Sequence, residues 1–238
     1  MNRQFPRLIE DLHYYNEFDL EKFTHCGIPF IRLDLDVPEI SDSVFDQTVE
    51  ACSNWRKRWN MVADNYQVKK WNGNILFGPS NWDTWMQTVE QDLKTCEYDE
   101  DGLCKKYRHT QEFVWTVDES NPLRQWVNTF YNNSDLHLVN VYNIPPGGYL
   151  FPHIDKNPKP HLNKVYVALR WPDGNHFGFN GFGEVPVTSR SAWLINNYKY
   201  SHWVYNDSDY NRLVIAIAGD LHSIKDLIHR SWIKMLTK

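Results

Sequence analysis

The chain has 238 residues, of which 42% are hydrophobic, 15% aromatic and 23% charged. That length and mix fit one globular domain that buries its own core, and they exclude collagen, a disordered tail and a disulfide scaffold. The balance of 25 Lys+Arg against 30 Asp+Glu leaves a formal charge of -5, which weighs against non-specific binding to a phosphate backbone.

Residues 1–136 read as mixed and helical, packing on whatever follows. Met1 to Glu10 has no apolar stretch after its basic residues, so no secretory signal is expected. Ser43 followed by Asp46 predicts a helix start, with Phe45, Val49 and Cys52 on one face. Ser80 or Asn81 is expected to cap a second helix carrying Trp82, Trp85, Met86, Val89 and Leu93. The polar run from Thr95 to Lys106 reads as an exposed loop. Asn121 before Pro122 predicts a third helix, with Leu123, Trp126, Val127 and Phe130 as its buried stripe. The tryptophans at 55, 59, 71, 82 and 85 read as core. Cys26, Cys52, Cys96 and Cys104 form no CxxC pair, so packed, reduced thiols in a cytoplasmic protein are expected. No apolar run reaches the length that spans a bilayer.

Residues 137–222 change to a period of two. His137–Tyr142, Asn163–Trp171, Ser191–Asn196, Tyr200–Tyr205 and Arg212–Gly219 read as strands, separated by Pro145-Pro146-Gly147-Gly148, Pro172-Asp173-Gly174 and Asn206-Asp207-Ser208-Asp209. The strand from Arg212 has small residues on one face (Val214, Ala216, Ala218) and bulky ones on the other (Leu213, Ile215, Ile217), as suits a strand between a cavity and a packed layer. In the strand from Lys164, the row Lys164, Tyr166, Ala168, Arg170 faces either solvent or a polar pocket, and the opposite row is apolar. Residues 223–238 read as a closing helix, capped by Ser223 with Asp226 and apolar at Ile224, Leu227, Ile228 and Trp232. The whole predicts one domain, mainly β with flanking helices.

The chemistry concentrates in Phe151-Pro152-His153-Ile154-Asp155. Residues two apart on a strand point the same way, so His153 and Asp155 can reach one ion. His202 supplies a second imidazole. Two His and one carboxylate make the facial triad of non-haem Fe(II) oxygenases, which leaves three coordination positions open. Arg212 follows ten residues after His202. If their strands are antiparallel neighbours, its fork of donors lies deeper in the cavity and suits a carboxylate.

His-x-Asp, a distal His and an Arg about ten residues later resemble the Fe(II)/2-oxoglutarate-dependent dioxygenase superfamily. The Pro-Gly turn before His-x-Asp is similar to its prolyl-hydroxylase-like branch, and residues 191–217 to its aspartyl/asparaginyl β-hydroxylase-like branch. The resemblance covers residues 138–219. It implies a double-stranded β-helix (jelly roll, cupin-like) with the N-terminal helices on its outer face. It also implies an iron enzyme that couples O2 and 2-oxoglutarate, released as succinate and CO2, to hydroxylation of a C–H bond. The implied metal ligands are His153, Asp155 and His202. Arg212 is the implied partner of the distal carboxylate of 2-oxoglutarate, with Tyr142, Tyr166 and Lys164 as further cosubstrate contacts. Some members carry Arg-x-Ser, where this chain has Val214; strict β-hydroxylases lack the carboxylate ligand, where this chain has Asp155. That carboxylate separates the chain from relatives that halogenate.

The expected substrate is a protein or peptide side chain, or a free amino acid. Two other readings stay open. One is a non-catalytic jelly-roll binding module; the other is a nucleic-acid-modifying oxygenase with a basic groove at Lys156, Lys159, Lys164 and Arg170. On residue type alone, Tyr142 and Tyr166 serve equally as packing aromatics, Lys164 as a solvated charge, and His137, His161, His176 and His222 as surface residues. Trp171, Phe177, Phe179 and Phe182, set among glycines, read as an aromatic-lined hairpin or as a lid.

Overall fold

The computed structural model describes residues 28–51, 72–81, 83–85, 87, 112–155 and 164–237. Its strands are β1 (Phe30–Leu33), β2 (Asn72–Pro79), β3 (Phe113–Trp115), β4 (Leu136–Ile144), β5 (Tyr149–His153), β6 (Lys164–Arg170), β7 (Asn175–Phe179), β8 (Gly183–Glu184), β9 (Ser191–Ile195), β10 (His202–Asn206) and β11 (Arg212–Gly219). Its helices are α1 (Asp42–Ala51), α2 (Pro122–Val127) and α3 (Lys225–Leu236), with 3-10 turns at Asn133–Asp135 and Leu221–Ile224. Among the described residues no helix is long and apolar enough to cross a membrane.

The strands form two antiparallel sheets. The larger runs β1-β9-β6-β11-β4-β2-β3 and the smaller β5-β10-β7-β8. From β4 onward the chain passes back and forth between them: β4, β6, β9 and β11 lie in the larger, β5, β7, β8 and β10 in the smaller. That winding is the double-stranded β-helix, the jelly roll.

Alternation along the strands gives the molecule two cores. On β11, Val214 and Ala216 join an inner cluster with Tyr142, Ile144, Tyr166, Ala168, Phe177, Phe179 and Trp193. Leu213, Ile215 and Ile217 join an outer cluster with Leu123, Val127, Leu227, Ile228 and Trp232 from α2 and α3. Each such aliphatic residue taken from water contributes about 1.5–3 kcal/mol. The small-residue face of β11 thus borders the interior, and Lys164, Tyr166 and Ala168 of β6 face inward as well, whereas a register shift at the end of β6 sets Arg170 opposite the outward Leu213.

Several expectations change. β1, β2 and β3 precede residue 136, where the sequence reads as mixed and helical, and all three join the larger sheet. α1 starts after Ser41, whose hydroxyl oxygen accepts from the Val44 N–H at 3.4 Å; Ser43 lies inside the helix. The closing helix begins after a 3-10 turn whose cap is Asp220, accepting from the His222 N–H, and no side chain caps α3 itself. Ser223 donates instead to the Asp220 carbonyl, 2.6 Å away. Asn81 accepts from the Thr84 N–H at 3.1 Å, and Trp85 is half-buried. Asn121 caps α2 as its sequence predicts, accepting from the N–H groups of Leu123 and Arg124. The four cysteines, the side chain of Val49, Trp55, Trp59, Trp71, Trp82, Met86, Val89, Leu93, His161 and the segment Thr95–Lys106 lie outside the described residues.

Candidate metal centre

His153 closes β5, Asp155 follows two residues on, and His202 opens β10; the register sets His202 opposite His153. Pro152 is tolerated in β5 because β5 is the outermost strand of the smaller sheet, where a missing N–H breaks no ladder. The two imidazole rings stand 4.2 Å apart. Asp155 Oδ1 lies 3.1 Å from His153 Nε2 and 4.0 Å from His202 Nε2. One donor atom from each of the three falls within 4.8 Å of the others.

This donor set fits a metal. Ligands about 2.1 Å from one ion and at right angles are about 3 Å apart, which His153 and Asp155 already match. The His153 Nδ1 sits 2.8 Å from the Phe151 carbonyl, which can only accept, so Nδ1 carries the hydrogen and Nε2 is turned toward Asp155. Burial pushes His202 down to about 4; His153 and Lys164 push the same way against the pull of Asp155. His202 is therefore a neutral imidazole with a lone pair at working pH. Burial alone would raise the Asp155 carboxyl, but Lys164, His153 and His202 outweigh it and hold the group well below the usual carboxylate range. Two imidazole nitrogens and one anionic oxygen suit a divalent first-row ion, and three ligands on one side leave positions open.

The condition that β10 and β11 be neighbouring strands is not met. β10 pairs with β5 and β7 in the smaller sheet; β11 lies between β6 and β4 in the larger. Arg212 therefore reaches the interior from the opposite wall. Its side chain is fully buried, donates from Nη1 to the His176 carbonyl at 3.2 Å, and stacks 4.5 Å over Trp171. A continuous run of rings leads from it to His202: Trp171 to Tyr166 at 6.4 Å, Tyr166 to Phe177 at 4.9 Å, and Phe177 to His202 at 6.1 Å.

Tyr142 and Tyr166 both line this interior. Burial raises the Tyr142 hydroxyl far above its usual value, and the charge of Asp155 raises it further. Burial raises Tyr166 too, against a lowering by nearby Arg212, and its hydroxyl has no hydrogen-bond partner among the described residues. Both phenols keep their protons at any working pH. Val214 is fully buried and brings no hydroxyl.

Lys164 is not a solvated charge: its ammonium pairs with Asp155 Oδ2. Arg170 pairs with Asp42. Two of the four basic residues expected to line a groove are thus engaged, while Lys156 and Lys159 lie outside the described residues. His176 is not a bare surface histidine. Its Nδ1 meets Glu184 at 3.0 Å and its ring stacks on Tyr205 at 6.3 Å. Phe177 and Phe179 are interior walls; Phe182 is exposed and meets Tyr200 edge-on at 4.9 Å. Sequence reasoning missed Asn197, whose amide donates to Asp155 Oδ2. No local signal marks it, because the contact joins residues 42 apart.

No protein-family model and no curated protein matches the chain. Among solved structures, it is similar to an oxidoreductase of the 2OG-Fe(II) oxygenase family from Burkholderia pseudomallei: 8% identity, 87% of this chain and 93% of that one covered, TM-score 0.42. It is similar to the viral collagen prolyl hydroxylase of Paramecium bursaria Chlorella virus-1, with 12% identity, 81% and 95% covered, TM-score 0.38. A cupin 2 conserved barrel domain protein from Salinispora arenicola shares 16% identity over 39% of this chain and 71% of that one, TM-score 0.27. Likenesses of this size carry no functional argument. The jelly roll stands on the strand order, and the site on its own distances.

Proposed function

We propose that the protein is an Fe(II)- and 2-oxoglutarate-dependent dioxygenase that hydroxylates a C–H bond of a protein or peptide side chain or of an amino acid. One observation carries the reading: two imidazoles and a carboxylate converge on one wall of a barrel whose opposite wall holds a fully buried arginine. A binding module that needed only a metal would have no use for a guanidinium buried on the far side of the same interior.

In this reading His153, Asp155 and His202 hold iron. Bound there with 2-oxoglutarate, iron supplies O2 activation coupled to oxidative decarboxylation, giving succinate, CO2 and one oxygen atom for the substrate. The chain's own residues hold and shield. Arg212 offers a planar fork of donors to the distal carboxylate of the cosubstrate. Tyr142 and Tyr166, kept protonated by burial, are hydroxyl donors along its length. Phe177 and Phe179 exclude water beside His202. Asp155 supplies the anionic ligand, which sets hydroxylation apart from halogenation.

Anaerobic titration of Fe(II) and 2-oxoglutarate, then succinate release with panels of peptides, amino acids and oligonucleotides, tests this. Wild type is expected to bind both and to release succinate faster with a peptide or amino acid. His153→Ala and His202→Ala should lose iron and turnover. Iron uptake with no 2-oxoglutarate binding would leave a metal-binding module. Stimulation by oligonucleotides alone would move the substrate to nucleic acid.

A further inference from the structure

We propose that Asn197 is a positioning residue for the metal-ligating carboxylate: it holds Asp155 so that Oδ1 alone faces the metal. The inference rests on reading His153, Asp155 and His202 as ligands. Asn197 lies in the turn between β9 and β10, outside the motif that marks the site. It grips Asp155 twice. Its carbonyl accepts the Asp155 N–H at 3.0 Å, and its side-chain Nδ2 donates to Asp155 Oδ2. Lys164 Nζ donates to the same oxygen. Asp155 Oδ1 instead faces His153 Nε2 at 3.1 Å and His202 Nε2 at 4.0 Å.

The two carboxylate oxygens are thereby sorted. Oδ2 accepts from two donors and has little lone-pair capacity left. Oδ1 is turned to the imidazoles. A carboxylate held this way ligates through one oxygen and occupies one coordination position rather than two. Three protein ligands then leave three of six positions, the number needed by a bidentate cosubstrate and O2.

Asn197, more than Lys164, sets the orientation. The backbone bond between residues 155 and 197 fixes how far the short amide stands from the carboxylate, whereas lysine reaches Oδ2 on a flexible four-carbon stem. Asn197 is 2% exposed, so water cannot readily replace its amide.

The test compares metal-free wild type, Asn197→Ala, Asn197→Asp and His153→Ala, each titrated with Mn(II) by electron paramagnetic resonance and with Co(II) by visible absorption, alongside thermal melts. Asn197→Ala is expected to weaken Mn(II) binding by about 10- to 100-fold, the usual cost of losing an outer partner of a metal ligand, and to alter the Co(II) spectrum as the carboxylate turns. Wild-type affinity and spectrum in folded Asn197→Ala overturn the proposal, as does a lowered melting temperature with metal binding unchanged. If Asn197→Ala does not fold, Asn197→Asp decides: it keeps the shape and reverses the donor, so an altered Co(II) spectrum supports positioning and a wild-type spectrum overturns it. Wild type that takes up neither ion, or His153→Ala that binds both normally, overturns the ligand reading itself and the proposal with it.

Discussion

Burial acts on the site's side chains in opposite directions, and each outcome suits a task. It strips His202 of its proton, leaving a neutral imidazole; it would protonate Asp155, but neighbouring positive groups keep that carboxylate charged. On Tyr142, Tyr166 and Tyr131 it keeps the proton in place. Asp220 and Asp135 reinforce burial at Tyr131, Asp155 reinforces it at Tyr142, and Arg212 opposes it at Tyr166. These three phenols are expected to make the fold alkali-sensitive. Their folded pKa values lie above the ordinary 10.0. Below that value both folded and unfolded chains keep the protons, and the stabilisation is complete. As pH rises past it, the unfolded chain ionises and the folded one does not, so stability falls. Spectrophotometric titration should find these tyrosines ionising only together with loss of circular dichroism. Tyr131→Phe, which removes one such group, should raise the alkaline midpoint. Full phenolate formation at ordinary pH with circular dichroism intact would refute this.

At the scale of elements, legibility followed local patterning. The small and bulky faces of β11 and the Asn-Pro start of α2 were readable because each is encoded within a few residues. β2 was not: Asn72, Gly73, Asn74, Gly78 and Pro79 look like turn residues, and only pairing with β4 and β3 makes them a strand. The spacing from His202 to Arg212 was legible, but not that it crosses from one sheet to the other. Spacing along a chain says nothing of which wall a strand joins. The crossing is governed by Asn206, which is fully buried at the end of β10. Its amide donates to the carbonyls of Ile144 at 2.7 Å and Tyr210 at 2.9 Å, and its Oδ1 accepts from the Ser208 N–H at 3.1 Å. Gly174, at φ +86° and with the Ser208 nitrogen 3.2 Å from where a Cβ would sit, lets this loop pack close. Asn206→Ala takes a donor from the Ile144 and Tyr210 carbonyls, the latter still accepting from Ser208 Oγ at 2.9 Å, and should cost about 1–3 kcal/mol in urea unfolding. A loss under about 0.5 kcal/mol, the scale of an ordinary surface change, would show that the loop holds itself without the amide.

For the whole molecule, the division of labour between the sheets makes a thermodynamic prediction. His153, Asp155 and His202 belong to β5, the residues just after it, and β10; Arg212, Tyr142, Tyr166 and Lys164 belong to the larger sheet. Under the proposed function a metal ion alone would be fastened to one wall, whereas 2-oxoglutarate chelating that ion and reaching Arg212 would tie the two walls together. Each ligand stabilises the folded state by its own binding, about 2.7 kcal/mol at a hundredfold excess over Kd, or about 5–10 °C in a chain of this size. Wild type should thus melt higher with Mn(II), and higher again when 2-oxoglutarate is added. Arg212→Ala should keep the first increment and lose most of the second, while His153→Ala should lose both, since the cosubstrate needs the ion to chelate. An Arg212→Ala protein that gains the full second increment would place the distal carboxylate elsewhere. A second increment that persists in His153→Ala would mean that 2-oxoglutarate binds without the metal, and that the two walls do not meet through a shared ligand.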